Sequence, residues 1–315
     1  MTRKSVLAIF ILLGALTAQQ RAPRVDFIHV TDTHVLDLKG VAAPLVKARE
    51  HFADGERRLA ALLAGAGRPA SASFALITGD LTDAFSFTAA DGGVVRGQVE
   101  AFRRATAKSP IPVFLTLGNH DIQHYGLAPG GAKPAADQWL AGAARASWIR
   151  TARCFREGTY YHLVKQAGRT RYVFLVLDNG YAASGSPERP AVAMAHEQLY
   201  WLRASARANA DAVLILAMHI PLGADATSQA IRQAVAAAPN VALVLAGHNH
   251  RDQIEDLDLG ASRAVQVRTA ALGYGTSNWR RIRLLEDGIE VYATGSRTQI
   301  LRTVPLPAVA RRPAA

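Results

Sequence analysis

Five times in this chain a short apolar run stops abruptly in a cluster of Gly, Asp, Asn and His, and that recurrence limits the fold more than any other feature. Val25 to Thr31 runs into Asp32 and His34, and Phe74 to Thr78 into Gly79 and Asp80. Val113 to Leu117 runs into Gly118, Asn119, His120 and Asp121, and Val213 to Met218 into His219. Val241 to Ala246 runs into Gly247, His248, Asn249 and His250. Each run is short and rich in Val, Ile, Leu and Phe, the pattern of a strand buried on both faces.

Helical periodicity falls between the runs. Glu56 to Ala64 carries leucines at 59, 62 and 63 on one side, and Gln98 to Lys108, Ala195 to Arg207 and Ser228 to Ala237 are the other predicted helices. Alternating strands and helices predict a single α/β domain, and polar strand ends in such folds meet along one sheet edge. After His250 the pattern changes to strands over Ala264 to Thr269, Arg280 to Leu285 and Ile289 to Thr294, with Asp287-Gly288 as a hairpin turn. Leu127 to Ala144, rich in Gly, Ala and Pro, predicts a long loop or partly helical insertion beside the third cluster, and Tyr181 to Pro190 a second loop.

Taken together, Asp32, His34, Asp80, Asn119, His120, His219, His248 and His250 combine carboxylate, imidazole and amide oxygen. That donor set suits divalent Zn, Mn or Fe, and it is too large for one ion. Two ions sharing one carboxylate would use it. The glycines at 79, 118 and 247 are expected to let the backbone turn sharply without a Cβ clash. His29, His51, His162 and His196 lack such context and read as structural, while His124, four residues after His120, is intermediate between a structural and a substrate-reaching reading. Asp37 and Asp83 read as solvated turn residues, and Tyr160, Tyr161 and Trp279 as core or pocket-wall aromatics.

The blocks TDTH, TGDLTD, LGNHD, MHIP and AGHNH, in that order across residues 32–250, resemble the calcineurin-like metallophosphoesterase superfamily. The resemblance extends with the flanking strands over residues 24–300. It implies a layered sandwich of two mixed β-sheets flanked by helices. It also implies two divalent metal ions (Mn, Fe or Zn), one held by Asp32, His34 and His250, the other by Asn119, His219 and His248, with Asp80 bridging. His120 would face the substrate as an acid and Asp121 would orient its imidazole. Two such ions about 3.5–4 Å apart stabilise attacking and leaving oxygens together and activate water at neutral pH. The implied reaction is hydrolysis of a small phosphomonoester or phosphodiester. A metal- or ligand-binding protein on the same scaffold, without turnover, is the alternative. Purple acid phosphatases carry a tyrosine and a glycine where this chain has Asp83 and His34, so the motifs stand closer to the cyclic-nucleotide phosphodiesterase-like branch.

The remaining features bound the setting. Arg3 and Lys4 precede an apolar stretch from Val6 to Leu16, then small and polar residues, the order of a secretory signal peptide over residues 1–18. The stretch is shorter than the roughly 20 residues a spanning helix needs, so export is expected, with an uncleaved anchor as the alternative. A single cysteine, Cys154, excludes an internal disulfide and a cysteine zinc site. The net charge of +11 comes from scattered arginines and not from a basic stripe with interleaved aromatics, so specific nucleic-acid binding is not expected. Residues 301–315 are expected to form a C-terminal tail.

Overall fold

The computed structural model describes residues 23–66, 72–128, 133–180 and 194–308. In chain order the elements are β1 (Arg24–Val30), α1 (Ala43–Arg49), α2 (Gly55–Ala66), β2 (Phe74–Thr78), β3 (Ser86–Thr88), β4 (Val94–Val95), α3 (Gln98–Thr106), β5 (Val113–Thr116), β6 (His124–Leu127), β7 (Pro134–Asp137) and α4 (Ala141–Thr151). They continue as β8 (Tyr161–Ala167), β9 (Thr170–Val176), α5 (His196–Ala208), β10 (Val213–Ala217), α6 (Ala226–Val235), β11 (Val241–Ala246), β12 (Gln253–Asp258), β13 (Arg263–Arg268), β14 (Arg280–Leu285), β15 (Gly288–Tyr292) and β16 (Ile300–Pro305). Two six-stranded sheets form the body, in the orders β16-β15-β14-β1-β2-β5 and β12-β13-β11-β10-β9-β8. In the first sheet β1, β2 and β5 run parallel, with β5 at the edge and antiparallel β14 on the other side of β1. In the second sheet the parallel strands β9, β10, β11 and β13 are central and antiparallel β8 and β12 flank them, so both sheets are mixed.

The period-two alternation of the strands sorts their side chains into layers. Phe27, Phe74, Leu76, Phe174, Ile215, Leu243 and Leu245 point between the sheets. Phe27 stacks on Phe74 at 4.8 Å and meets the edge of Phe174 at 5.4 Å. The alternate residues Ile28, Val30, Ala75 and Ile77 face α2, α3 and α4 through Leu59, Leu63, Phe102 and Trp148. On the far side Leu214, Leu216 and Val244 face α5 and α6 through Leu202, Ile231 and Val235. Each such side chain contributes about 1.5–3 kcal/mol by burial. The helix–sheet–sheet–helix order is the layered sandwich expected from the sequence.

Three expectations change. The segment 127–144 is not an unpaired excursion: β6 and β7 form a hairpin that joins β3 and β4 in a third, four-stranded sheet, and α4 follows. The strands β8 and β9, which the apolar-run pattern did not single out, complete the second sheet. The domain also runs past residue 300, because β16 pairs antiparallel with β15 and buries Val304. The proposed signal peptide and the loop from Tyr181 to Pro190 lie outside the described residues, and among the described residues no helix is long and apolar enough to cross a membrane.

One polar group sits in the layer between the sheets. His29 on β1 is fully buried, with Nε2 2.9 Å from Thr78 Oγ1 and Nδ1 2.8 Å from Thr269 Oγ1. It therefore ties the two sheets together through hydroxyls just behind the ligand-bearing strand ends. Burial, reinforced by the charge of Arg280, pushes its pKa down to about 3. A base depressed in the folded state takes up its proton first in the unfolded chain, so its contribution is complete above about pH 6.5 and is lost as pH falls toward 3. His29→Leu should cost about 1–3 kcal/mol at pH 7, because it strands two buried hydroxyls. In urea denaturation of the chelator-treated protein, the gap between wild type and variant should narrow between pH 7 and 5, by up to about 2 kcal/mol. A gap that does not change with pH would contradict the assignment of a neutral, bridging imidazole.

Candidate metal centre

The parallel strands bring their C-terminal ends to one edge, and there the backbone takes an unusual course. Asp32, His34, Asp80, His248 and His250 have φ of 50°, 42°, 47°, 70° and 56°, and they are the only non-glycine residues with positive φ among those described. For an L-residue the left-handed region is costly and persists only where the surroundings enforce it. The enforcement is visible: Asp32 N donates to Gly79 O and His34 N to Asp80 O, both at 3.0 Å, lacing the first block to the second. Gly79 has φ 79°, as a turn glycine should. Gly118 and Gly247 instead provide room, because a Cβ at 118 would strike the Asp80 carboxylate and one at 247 would strike Thr31 Oγ1 and the Asp32 carboxylate.

Around this edge the seven expected ligands come together. Asp32 Oδ1 and His34 Nε2 each lie 3.2 Å from His250 Nε2, and Asp80 Oδ2 is 4.0 Å from His34 Nε2. On its other side Asp80 Oδ2 is 3.2 Å from His219 Nε2. His219 Nε2 and His248 Nδ1 stand 3.2 Å and 3.1 Å from Asn119 Oδ1. Asp32, His34, Asp80 and His250 thus form one group that could hold a cation, and Asp80, His219 and His248 a second, with Asp80 common to both.

Hydrogen bonds behind the site fix which atoms face into it. The Nδ1–H of His219 donates to the Thr78 carbonyl at 2.9 Å, and Nδ1–H of His34 to the Asp83 carboxylate at 3.1 Å. A carbonyl can only accept, so His219 presents an Nε2 lone pair when neutral, and His34 does the same. These lone pairs point at the oxygens of Asp32, Asp80 and Asn119. Asp32 Oδ1 is buried with no hydrogen-bond partner. Acceptors facing acceptors in a buried place need a positive charge between them. Without a metal the demand falls on a proton: burial opposes a charged His219, yet Asp80 and its hydrogen bond raise it to about 9. Burial also opposes an ionised Asp80, but His219, His120 and His34 hold its carboxyl well below the usual range. The residues therefore fit two adjacent cations.

His120 stands beside this set with its ring partly open to solvent. Its Nδ1–H donates to the Asp83 carbonyl at 2.7 Å, which leaves Nε2 facing the cleft, 3.8 Å from Asp80 Oδ2. Asp121 does not orient that imidazole. Its carboxylate accepts from Gly118 N at 2.7 Å and Thr82 N at 2.9 Å, and so clamps the second block to the third. Burial and the charge of Asp80 push it up to about 7. The orienting role passes to Asp83, which is fully buried and not a solvated turn residue. Burial opposes its charge, but Arg49 and His34 hold it at about 2. Arg49, bonded to Asp83 through Nε at 2.7 Å, lies over the rings of Phe52 and Tyr125.

Two further groups escaped the sequence reading. Asn179, after β9, accepts from His219 N at 3.0 Å and donates to Ile220 O at 2.8 Å, so it sets the His219 turn. Thr31 Oγ1 lies 2.6 Å from Asp32 Oδ2. His124 does not reach toward a substrate, because Ser86 Oγ and Thr88 Oγ1 occupy its nitrogens at 2.9 Å and 3.2 Å. Cys154 is a bystander whose thiol burial pushes up to about 11. Surface cavities of about 430 Å³ and 610 Å³ lie by Asn240 and Pro112, at the opposite edge of the sheets.

With this geometry in hand, comparison with known proteins is informative. Residues 25–252 match the family model described as calcineurin-like phosphoesterase. A dimetal phosphatase from Danio rerio shares the fold at TM-score 0.59 and 14% identity, over 90% of this chain and 99% of that one. GAP50, the anchor in the inner membrane complex of Plasmodium, shares it at TM-score 0.52 and 11% identity, over 90% of this chain and 89% of that one. No curated protein matches by sequence. The family match spans the stretch that holds all seven convergent residues and His120, and on that ground the chain belongs to the calcineurin-like phosphoesterase family.

Proposed function

We propose that this protein hydrolyses a small phosphomonoester or phosphodiester with the aid of two divalent cations. The observation that carries this reading is the convergence around Asp80 of buried carboxylate, amide and imidazole atoms able to hold a cation, among them an Asp32 Oδ1 with no hydrogen-bond partner. The fold alone would not suffice, since one scaffold can serve unrelated ends. In this assignment Asp32, His34 and His250 would hold one ion and Asn119, His219 and His248 the other, with Asp80 available to both. The mix of imidazole, carboxylate and amide oxygen suits Mn, Fe or Zn. When bound, the ions supply charge stabilisation for the phosphoryl oxygens and a water made nucleophilic at neutral pH.

The chain's own residues do the rest. His120 presents Nε2 to the cleft, and as an imidazolium it would give the Nε2 proton to the departing oxygen and be left neutral, while the Asp83 carbonyl holds the ring at Nδ1–H. Asp83 keeps the Nε2 lone pair of His34 aimed inward, and Arg49 keeps Asp83 ionised. The charged segment followed by an apolar stretch in residues 1–18 supports export, with action outside the cytoplasm.

The chelator-stripped protein reconstituted with Mn, Zn, Fe or Mg should turn over p-nitrophenyl phosphate or bis-p-nitrophenyl phosphate, and the preferred ester separates the two substrate classes. His120→Ala should lower kcat about 10²–10⁴-fold while retaining two ions per chain by elemental analysis. Loss of both ions in that variant would show that His120 belongs to the ligand set instead. Asp83→Asn should weaken Mn binding about 10–100-fold by calorimetry, and unchanged affinity would remove Asp83 from its orienting role.

A further inference from the structure

On the rim of the cleft one large side chain is held out into solvent by well-ordered backbone. Tyr274 is 56% exposed, although it ends a short turn, Leu272–Tyr274, whose other two residues are fully buried. Leu272 N donates to Thr31 O at 3.1 Å and Gly273 N to Asp32 O at 2.9 Å, so the turn is attached directly to the first ligand block. Arg58 takes the Gly273 carbonyl from behind. A Cβ on Gly273 would come within 2.9 Å of the Phe52 ring, so the turn is also seated against that ring without slack.

The ring of Tyr274 is fixed in relation to the metal-competent cluster. Its centroid lies 5.2 Å from that of His250 and 5.0 Å from that of Phe52, whose own ring stacks on His34 at 4.2 Å. His51 lies 6.0 Å away and nearly parallel, at 15°. The phenol hydroxyl has no hydrogen-bond partner among the described residues. A side chain that supports the fold would bury its ring and satisfy its hydroxyl, as Tyr172 does with the carbonyls of Leu285 and Gly288. Tyr274 does neither. It offers an aromatic face beside His250, at the solvent-exposed border of the metal-competent cluster.

We propose that Tyr274 is a specificity-determining residue: its ring is a shelf for a planar group, an aryl ring or a nucleobase, carried by the phosphate ester held at the cluster. The inference rests on the hydrolase reading of that cluster and names the class of ester it selects. Stacking on a ring that is already immobile costs little ordering, and each base–aromatic contact is worth about 1–3 kcal/mol, or about 5- to 150-fold in affinity. The contact is indifferent to which planar group arrives, so the shelf distinguishes planar from non-planar esters.

Non-hydrolysable phosphonates separate this claim from turnover. On the Mn-loaded full chain, calorimetry should give tighter binding of phenylphosphonate and of an adenosine phosphonate than of methylphosphonate, by about 5- to 150-fold. Tyr274→Ala should abolish that gap and leave the methylphosphonate affinity unchanged, while Tyr274→Phe should keep it. Whichever of the two planar probes binds more tightly identifies nucleoside or simple aryl esters as the preferred source. Equal affinity for all three probes in the wild type, or a gap that survives in Tyr274→Ala, overturns the shelf and leaves the hydrolase reading standing. Failure of all three to bind a chain that holds its metal overturns both.

Discussion

The structure depends on one electrostatic constraint, the concentration of buried acceptors around Asp80. Two carboxylates, an amide oxygen and inward-facing imidazole nitrogens crowd together, and with neutral imidazoles acceptors face acceptors, Asp32 Oδ1 being buried with no hydrogen-bond partner. Nothing in a folding chain would assemble such a group unaided. The sandwich forces it, by bringing five strand ends to one edge and holding five residues in left-handed conformations. Strain of about 1–3 kcal/mol at each would sum to something comparable with the entire stability of an ordinary domain. The flanking strands are accordingly buried on both faces, and the turns are fastened to each other by backbone hydrogen bonds rather than left as free loops.

A second layer of polar groups turns this strain into direction. Thr78 O and Asp83 decide which nitrogen of His219 and His34 looks into the site. Asp121 joins two blocks by accepting from Gly118 and Thr82, and Asn179 fixes the backbone that carries His219. His29 ties the sheets together immediately behind. The metal-competent residues and their supports differ in position: the former end at the cleft, and the supports are one hydrogen bond deeper. The small third sheet serves the same end, because β3 and β6 place Tyr125 against His120 and Arg49.

Much of this was legible in the sequence, and the reasons for the gaps are physical. Apolar runs such as Val241 to Ala246 could be read because a strand covered on both faces needs unbroken hydrophobicity. The strand β8, at a sheet edge with alternating exposure, gives no such run, and β6 (HYGL) and β7 (PAAD) are short and lack a run of branched apolar residues. The metal-competent residues were legible because their chemistry is unusual after an apolar run. Asp83 and Asn179 were not, since a lone Asp or Asn in a turn carries no sign of burial. Asp121 was misjudged because adjacency in sequence to His120 suggested adjacency in space. The 3-10 turn points the two side chains apart. Gly118 and Gly247 are legible for the reason the structure shows, the space a Cβ would take: each makes room for a carboxylate.

The central claim is that Asp80 lies between two cations, each completed by three of the other convergent residues. Anomalous diffraction from crystals of the Mn-reconstituted protein tests it most directly. Two peaks should flank the Asp80 carboxylate, one against Asp32, His34 and His250, the other against Asn119, His219 and His248. A single peak, or metal bound elsewhere with the Asp80 cluster occupied only by protons and water, would contradict it.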